Sequence, residues 1–306
     1  MTERILPPPE EAPALVPKRG SVAWEYSGDI RLLGGSAYAL LLQVSHPTVG
    51  AGVSEHSDFR SDPWGRLFRT LDYAYAMTYG GPEMAGEVGR RVRQMHRYIK
   101  GVKPDGERYH ALEPEAYAWV HATLADGVVR GHRLLARPMN RGQIDEFWAD
   151  WRRVGRLVGV RTRDLPETWP EFEDYFDRMV NERLERTEAV DEVLEALDDP
   201  ARPPVKFIGD RGWKLARFPA IKSTSLVTAG LLAPVLRDRF GIPWGAGRER
   251  RFKAVAKASR AATAVMPKSM LNSGPVYLSW RREALERGDV ADSSRAPRPT
   301  RGMATA

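Results

Sequence analysis

GGSAYALLLQVSHPTVGAGVSEHSDFRSDPWGRLFRTLDYAYAMTYGGPEMAGEVGRRVRQMHRYIK runs from Gly34 to Lys100 and holds three of the chain's six histidines. After the two glycines, Ala39, Leu40, Leu42, Gln43 and His46 fall at helical spacing. Pro47 disfavours a helical residue before it, so this first helix ends at His46. Thr48 to Pro63 is rich in Gly, Ser and Asp and reads as largely loop or short helical turns. Asp62 then supplies an N-cap and Pro63 the first position of a helix that runs to about Tyr79 and stops at Gly80-Gly81. Pro82-Glu83 opens the next, whose apolar residues Met84, Val88, Val92, Met95 and Ile99 keep helical period until Gly101.

Outward from this stretch the pattern stays helical. Glu113-Pro114 opens a helix through Ala118, Val120, His121, Leu124 and Val128. Asn140 to about Val158 is amphipathic, Trp169 to Leu197 reads as one long helix, and Trp213 to Leu232, Pro234 to Phe240 and Gly247 to Met266 follow. PARPPVKFIGDRG, beginning at Pro200, reads as a loop. No convincing strand or hairpin pattern and no internal repeat is seen. The expectation is therefore an all-α fold with a single large multi-helix domain over 21–280. Residues 1–20, with Pro7, Pro8, Pro9, Pro13 and Pro17, read as an extended arm without a regular element, and 281–306 as a disordered tail.

Composition bounds the function. The 306 residues can bury a sizeable core. At 42% hydrophobic, 28% charged and a mean hydropathy of −0.46, the chain has the make-up of a water-soluble globular protein. No run approaches the length of a spanning helix, and the N-terminus lacks the apolar core of a signal peptide, so a cytoplasmic location is expected. The absence of cysteine excludes disulfides, thiolate metal sites and cysteine nucleophiles. A net charge of +7 is spread through helices with carboxylates between the cations, which fits a solvated basic surface. No nucleic-acid motif accompanies it, and peripheral contact with a membrane stays open.

Several catalytic signatures are missing. His46, His96 and His121 each lack a Glu three residues earlier, so there is no Glu-x-x-His di-iron pattern. HExxH, GxSxG, the P-loop and the Rossmann glycines are absent too. What remains is single histidines on apolar helix faces. His96, beside Val92, Ile99 and Gly89, is either a satisfied boundary histidine or the axial ligand of a haem, with Gly89 leaving room for a flat macrocycle. Arg66, Arg69, Thr70 and Tyr73 share one helical face, either a solvated edge near Asp62 and Asp72 or a cationic, hydroxyl-bearing lid over a cofactor. His46 is a helix-end histidine or a further cofactor contact, and Glu55 with His56 lies in a polar loop. His110 and His132 read as structural, and His121 stays open.

Taken in order, LLQVSHPTVGAGVSEHSDFRSDPWGRLFRTL, VRQMHRYIKG, YHALEPEAYAWVHATL, LPETWPEFEDYFDRM and LLAPVLRDRFGIPW resemble the catalytic-domain family shared by the fungal mpaB oxygenase and the bacterial latex-clearing rubber oxygenases, over about residues 24–265. The resemblance implies a globin-like helical core holding one non-covalent haem b. By motif position it makes His96 the proximal iron ligand and matches Arg66 and Thr70 to the distal arginine and threonine. Glu55 is the nearest counterpart of the distal glutamate proposed as a base. Where the rubber oxygenases carry a lysine able to cap the iron, this chain has Arg69, whose guanidinium offers no lone pair to a metal.

The resulting expectation is a haem-dependent oxygenase using O2 on a small hydrophobic, alkene- or isoprenoid-like substrate, with Leu41, Leu42 and Met77 lining the pocket. The rival readings are a non-catalytic haem-binding or gas-sensing protein and a basic helical binding module.

Overall fold

The computed structural model describes residues 5–57, 62–103, 105–200, 202 and 210–287. Fifteen α-helices account for nearly all regular structure among them: α1 (Ala12–Leu15), α2 (Val22–Tyr26), α3 (Ser36–Val44), α4 (Pro47–His56), α5 (Pro63–Tyr79), α6 (Gly81–His96), α7 (Pro114–Leu135), α8 (Arg141–Val158), α9 (Trp169–Arg178), α10 (Glu188–Asp198), α11 (Asp210–Leu231), α12 (Pro234–Arg239), α13 (Ala246–Ala261), α14 (Lys268–Leu271) and α15 (Gly274–Glu286). The fold is all-α, as the sequence leads one to expect.

The centre of the molecule is α7. Its small residues Ala116, Ala118, Ala122 and Ala125 are buried together with Trp119, His121, Val129 and His132, so the helix is covered on nearly every side. It packs against α3, α8 and α13. Trp119 donates its indole N–H to the Leu42 carbonyl at 2.8 Å, while Phe172 and Phe176 of α9 complete the aromatic core around it. Helix α8 is held by a capping box: the Asn140 side chain accepts from Gln143 N–H, and the Gln143 side chain reaches back to Asn140 N–H.

Two buried histidines tie these helices together. His121 stacks on Trp151 at 5.1 Å and places Nε2 2.8 Å from the Trp151 carbonyl, and the Trp151 indole donates back to the His121 carbonyl at 3.0 Å. His132 places Nε2 2.8 Å from the Tyr26 carbonyl and accepts from Arg137 N–H through Nδ1. Burial depresses both pKa values to about 4, against an ordinary value of 6.5. The unfolded chain therefore takes up protons near pH 6.5 that the native state refuses until about pH 4. Stability from this source is full above pH 6.5 and falls as the pH drops, by about 2 kcal/mol for each histidine at pH 5. Urea denaturation across pH 5 to 7.5 checks this, and a flat profile would rule it out.

Three local expectations are corrected. Thr48 to Pro63 is not mainly loop: Pro47 starts α4, which runs to His56 with Thr48 and Val53 buried. The segment Trp169 to Leu197 is not one helix. After α9 it passes through a π-helical turn, Met179–Arg183, and Leu184 is extended. Long-range partners replace the lost helical bonds there: Glu185 N–H donates to the Ser45 carbonyl, Thr187 Oγ1 donates to the Val44 carbonyl, and Arg239 donates to the Val180 carbonyl. A small antiparallel hairpin also exists, β1 (Lys100–Val102) against β2 (Arg108–His110). Its strands are too short to show alternation, and only Asp105-Gly106 marks its turn.

The ends are corrected as well. In the N-terminal arm, α1 buries Ala12 and Leu15 and packs on α6 and α8, with Glu11 paired to Arg156 at 2.8 Å. The expected tail from 281 begins inside α15, where Arg281 is buried against Asp72. Residues 288–306, and most of the loop expected after Pro200, lie outside the described residues.

Candidate active site

Helices α5 and α6 meet through Gly80-Gly81 and pack side by side. His96 is the last residue of α6. Its Nδ1 lies 2.7 Å from the Val92 carbonyl, one turn back. A carbonyl can only accept, so Nδ1 carries the proton and Nε2 holds the lone pair. Among the described residues Nε2 makes no hydrogen bond. The Tyr117 ring of α7 meets the imidazole edge-on at 5.6 Å. Burial holds the His96 pKa below its ordinary value against the opposing Val92 hydrogen bond, and the charges of Arg66 and Arg93 push the same way as burial. The imidazole is neutral at pH 7.

The shared face on α5 divides in the structure. Arg66 donates Nη1 to Ser57 Oγ at 2.8 Å and lies within electrostatic reach of His96. Tyr73 turns inward, its phenol pKa raised by burial and by Tyr117. Arg69 instead stands 3.7 Å from Asp62. Thr70 is exposed and donates its hydroxyl to the Arg66 carbonyl at 3.1 Å. Asp72 belongs to neither group, since Arg281 and Tyr277 of α15 hold it.

Glu55, near the end of α4, accepts from the Tyr109 hydroxyl at 2.6 Å, and His56 Nε2 lies 3.6 Å from the same carboxylate. Tyr109 comes from β2 and is only 3% exposed. Gly101 faces it across the hairpin, and a Cβ there would overlap Glu55 Oε2 and sit 2.8 Å from the Tyr109 ring. Glycine at 101 therefore keeps the Glu55–Tyr109 bond open. Tyr109→Phe is expected to lower stability by about 1.5–3 kcal/mol, the range for a hydrogen bond to a charged group. Gly101→Ala should also break that bond, because a Cβ there runs into both the Glu55 carboxylate and the Tyr109 ring and hydroxyl. Thermal melts of the two variants check this, and a Tyr109→Phe melt equal to the parent would refute it.

The other expected participants have different surroundings. His46 is 2% exposed, with Nε2 3.2 Å from Glu115 Oε1, an oxygen that Arg183 also holds at 2.6 Å; Nδ1 is sealed without a partner. Leu41, Leu42 and Met77 are fully buried members of the core, so they are filled packing positions and not walls of an open pocket. Gly89 does not face a cofactor either: a Cβ there would run into the Leu157 carbonyl of α8, so this glycine serves close helix packing. Sequence reasoning missed Tyr117, Arg93 and Tyr109. Arg93 carries the one local signal, standing three residues before His96 on the same helix.

The donor set can be tested against a haem. Among the described residues, no group of three His, Asp or Glu side chains converges as the ligands of a bare metal ion. A single neutral imidazole, with Nδ1–H fixed on a carbonyl and Nε2 without a partner among the described residues, would suit an iron whose remaining donors come with its own cofactor. His96 is therefore the residue that would hold a haem iron.

Comparison with known proteins adds an independent line. An uncharacterized protein of Mycobacterium tuberculosis and one of Mycobacterium bovis are each 25% identical to this chain over 232 residues, which is 74% of this chain and 87% of theirs. No solved structure matches. A family model described as ER-bound oxygenase mpaB/B'/Rubber oxygenase, catalytic domain, matches residues 24–261 and so spans α4, α5, α6 and the hairpin with every candidate residue on them. This chain belongs to the mpaB and rubber oxygenase catalytic-domain family.

Proposed function

We propose that this protein is a haem b-dependent oxygenase that uses O2 on a small hydrophobic, alkene- or isoprenoid-like substrate, with one haem held non-covalently by His96. The observation that carries the reading is the His96 imidazole, neutral, oriented through Nδ1 by Val92 and without a partner at Nε2, inside a chain of an oxygenase family. In this reading α5, α6 and α7 form the globin-like, haem-holding part of the fold.

When bound, haem b supplies the iron chemistry through which O2 oxidises an organic substrate. The protein's own groups do the rest. Val92 orients the imidazole and makes Nε2 a better donor. The edge-on ring of Tyr117 restrains its rotation. Arg66 keeps its charge at any working pH and offers N–H donors to a propionate or to developing negative charge on oxygen. Thr70 steadies the Arg66 turn through its backbone and so acts as a positioning residue. Arg69, lacking a lone pair, stays with Asp62 and adds positive charge at the rim. Glu55, held by Tyr109, would be the carboxylate that accepts a proton in this reading.

A visible spectrum of the purified protein, as isolated and after dithionite and CO, tests the cofactor. The expected result is a Soret band with one haem per chain by pyridine haemochrome. Protein that stays colourless after haem supplementation refutes the reading. With haem established, O2 consumption is measured with isoprenoid alkenes. Reversible O2 and CO binding without consumption would make the protein a haem-binding, non-catalytic member of its family.

A further inference from the structure

The exposed rim beside His96 has an unusual make-up. The outward side of α6 begins with Glu83 and Glu87, but every charged residue from Arg90 to Lys103 is basic. Some of these cations are occupied. Arg91 pairs with Glu87 at 2.7 Å, Arg93 lies against Tyr117, and Lys103 pairs with Glu107 and Asp105 at the hairpin tip. Arg90, Arg97, Lys100 and Arg108 are exposed and form no ion pair among the described residues.

Large apolar side chains are interleaved with them. Met95 is 36%, Tyr98 74% and Val102 53% exposed. Within the hairpin, Lys100, Val102 and Arg108 share one side. Alternation along β1 points Gly101 inward to Tyr109 and turns Lys100 and Val102 outward, and the register sets Arg108 opposite Val102. Tyr98 occupies the turn that joins α6 to this outward face.

We propose that this rim docks on an anionic lipid bilayer, with Met95, Tyr98 and Val102 entering the headgroup region and Arg97, Lys100 and Arg108 meeting lipid phosphates. Basic and apolar side chains interleaved on one face are what an interfacial contact needs, since each kind supplies one part of the attraction. A second copy of the chain fits poorly, because a twofold contact would set these unpaired cations against their own images. A nucleic acid would use the cations but leave Met95 and Val102 without a stacking role. The docking itself is independent of the cofactor. That it brings membrane-dissolved substrate to the His96 side is the one clause that rests on the oxygenase reading.

The test is sedimentation of the full chain with phosphatidylcholine vesicles, with and without phosphatidylglycerol, at low and high salt. Binding is expected only to the anionic vesicles and should weaken with salt. Each rim cation is expected to contribute about fivefold, so Arg97→Glu/Lys100→Glu should lower partitioning by at least ~25-fold. Tyr98→Ser/Val102→Ser should weaken binding with the charges intact, while the control Arg250→Glu/Arg251→Glu on exposed α13 positions should not. Equal loss in the rim and α13 charge variants, or equal binding to neutral vesicles, would overturn the proposal. So would tighter binding to a single-stranded oligonucleotide that ignores Tyr98→Ser/Val102→Ser. Haem content measured on the same samples separates a failure here from a failure of the cofactor reading.

Discussion

If His96 holds haem as proposed, its replacement by alanine is expected to cost the protein that cofactor and almost none of its fold. Among the described residues the side chain's only polar partner is the Val92 carbonyl of its own helix, a group that water can satisfy at a helix end. Alanine is the best helix former, so the substitution carries no propensity penalty, and the lost packing of a half-buried ring on Tyr117 amounts to about 1 kcal/mol. Haem content by pyridine haemochrome should fall below about a tenth of the parent value, because on that reading the His96 imidazole would hold the iron. Free imidazole in the buffer should restore part of it. His46→Ala serves as the contrast: it leaves Glu115 and Arg183 without their buried neighbour and should lower the melting temperature while keeping haem. Full haem content in His96→Ala would end the ligand assignment.

Asp72→Ala is expected to destabilise the fold by about 3–5 kcal/mol, the usual consequence of removing one partner of a buried ion pair. Arg281 is 8% exposed at its side chain and Asp72 18%, so water screens the pair only weakly. The contact is bidentate, with Nε and Nη2 of Arg281 each 2.9 Å from a carboxylate oxygen, and Tyr277 adds a third donor at 2.7 Å. Without the carboxylate, the buried Arg281 guanidinium loses its bidentate acceptor and Tyr277 keeps only the longer bond to the Phe68 carbonyl at 3.4 Å, where α15 crosses α5. Ending the chain after Trp280 should produce a loss of similar size by removing Arg281 itself. Urea denaturation measures both variants. A truncated chain as stable as the full one would show that α15 contributes nothing to the fold.

The residues around Asp72 also show where sequence reading stops. Helix boundaries that depend on neighbours within a few positions are legible in the chain: Asp62-Pro63 opens α5, Gly80-Gly81 closes it, and Asn140 with Gln143 caps α8. The all-α class follows from these local signals and from the 3.6-residue apolar period. Segments whose shape is set by distant partners were misread, each for that reason. The π turn before α10 depends on Ser45 and Val44, the hairpin is anchored on Glu55 through Tyr109, and α15 is fastened to a residue 209 positions away.

The candidate site divides along the same line. Residue type and helical spacing placed His96 and the set Arg66, Arg69, Thr70 and Tyr73 on adjoining helices, and the family resemblance ranked them. Spacing did not separate Arg66 and Tyr73, which turn toward His96 and Tyr117, from Arg69 and Thr70, which face Asp62 and solvent. Nor did it distinguish the histidines. His121 and His132 are tied to carbonyls of other segments, and His46 to Glu115. Most helix boundaries and the candidate residues are legible locally, because propensity, capping and periodicity act over one or two turns. Which imidazole lies near Arg66 with Nε2 unbonded among the described residues is set by tertiary contacts, because hydrogen-bond partners and burial are fixed by residues far apart in the chain.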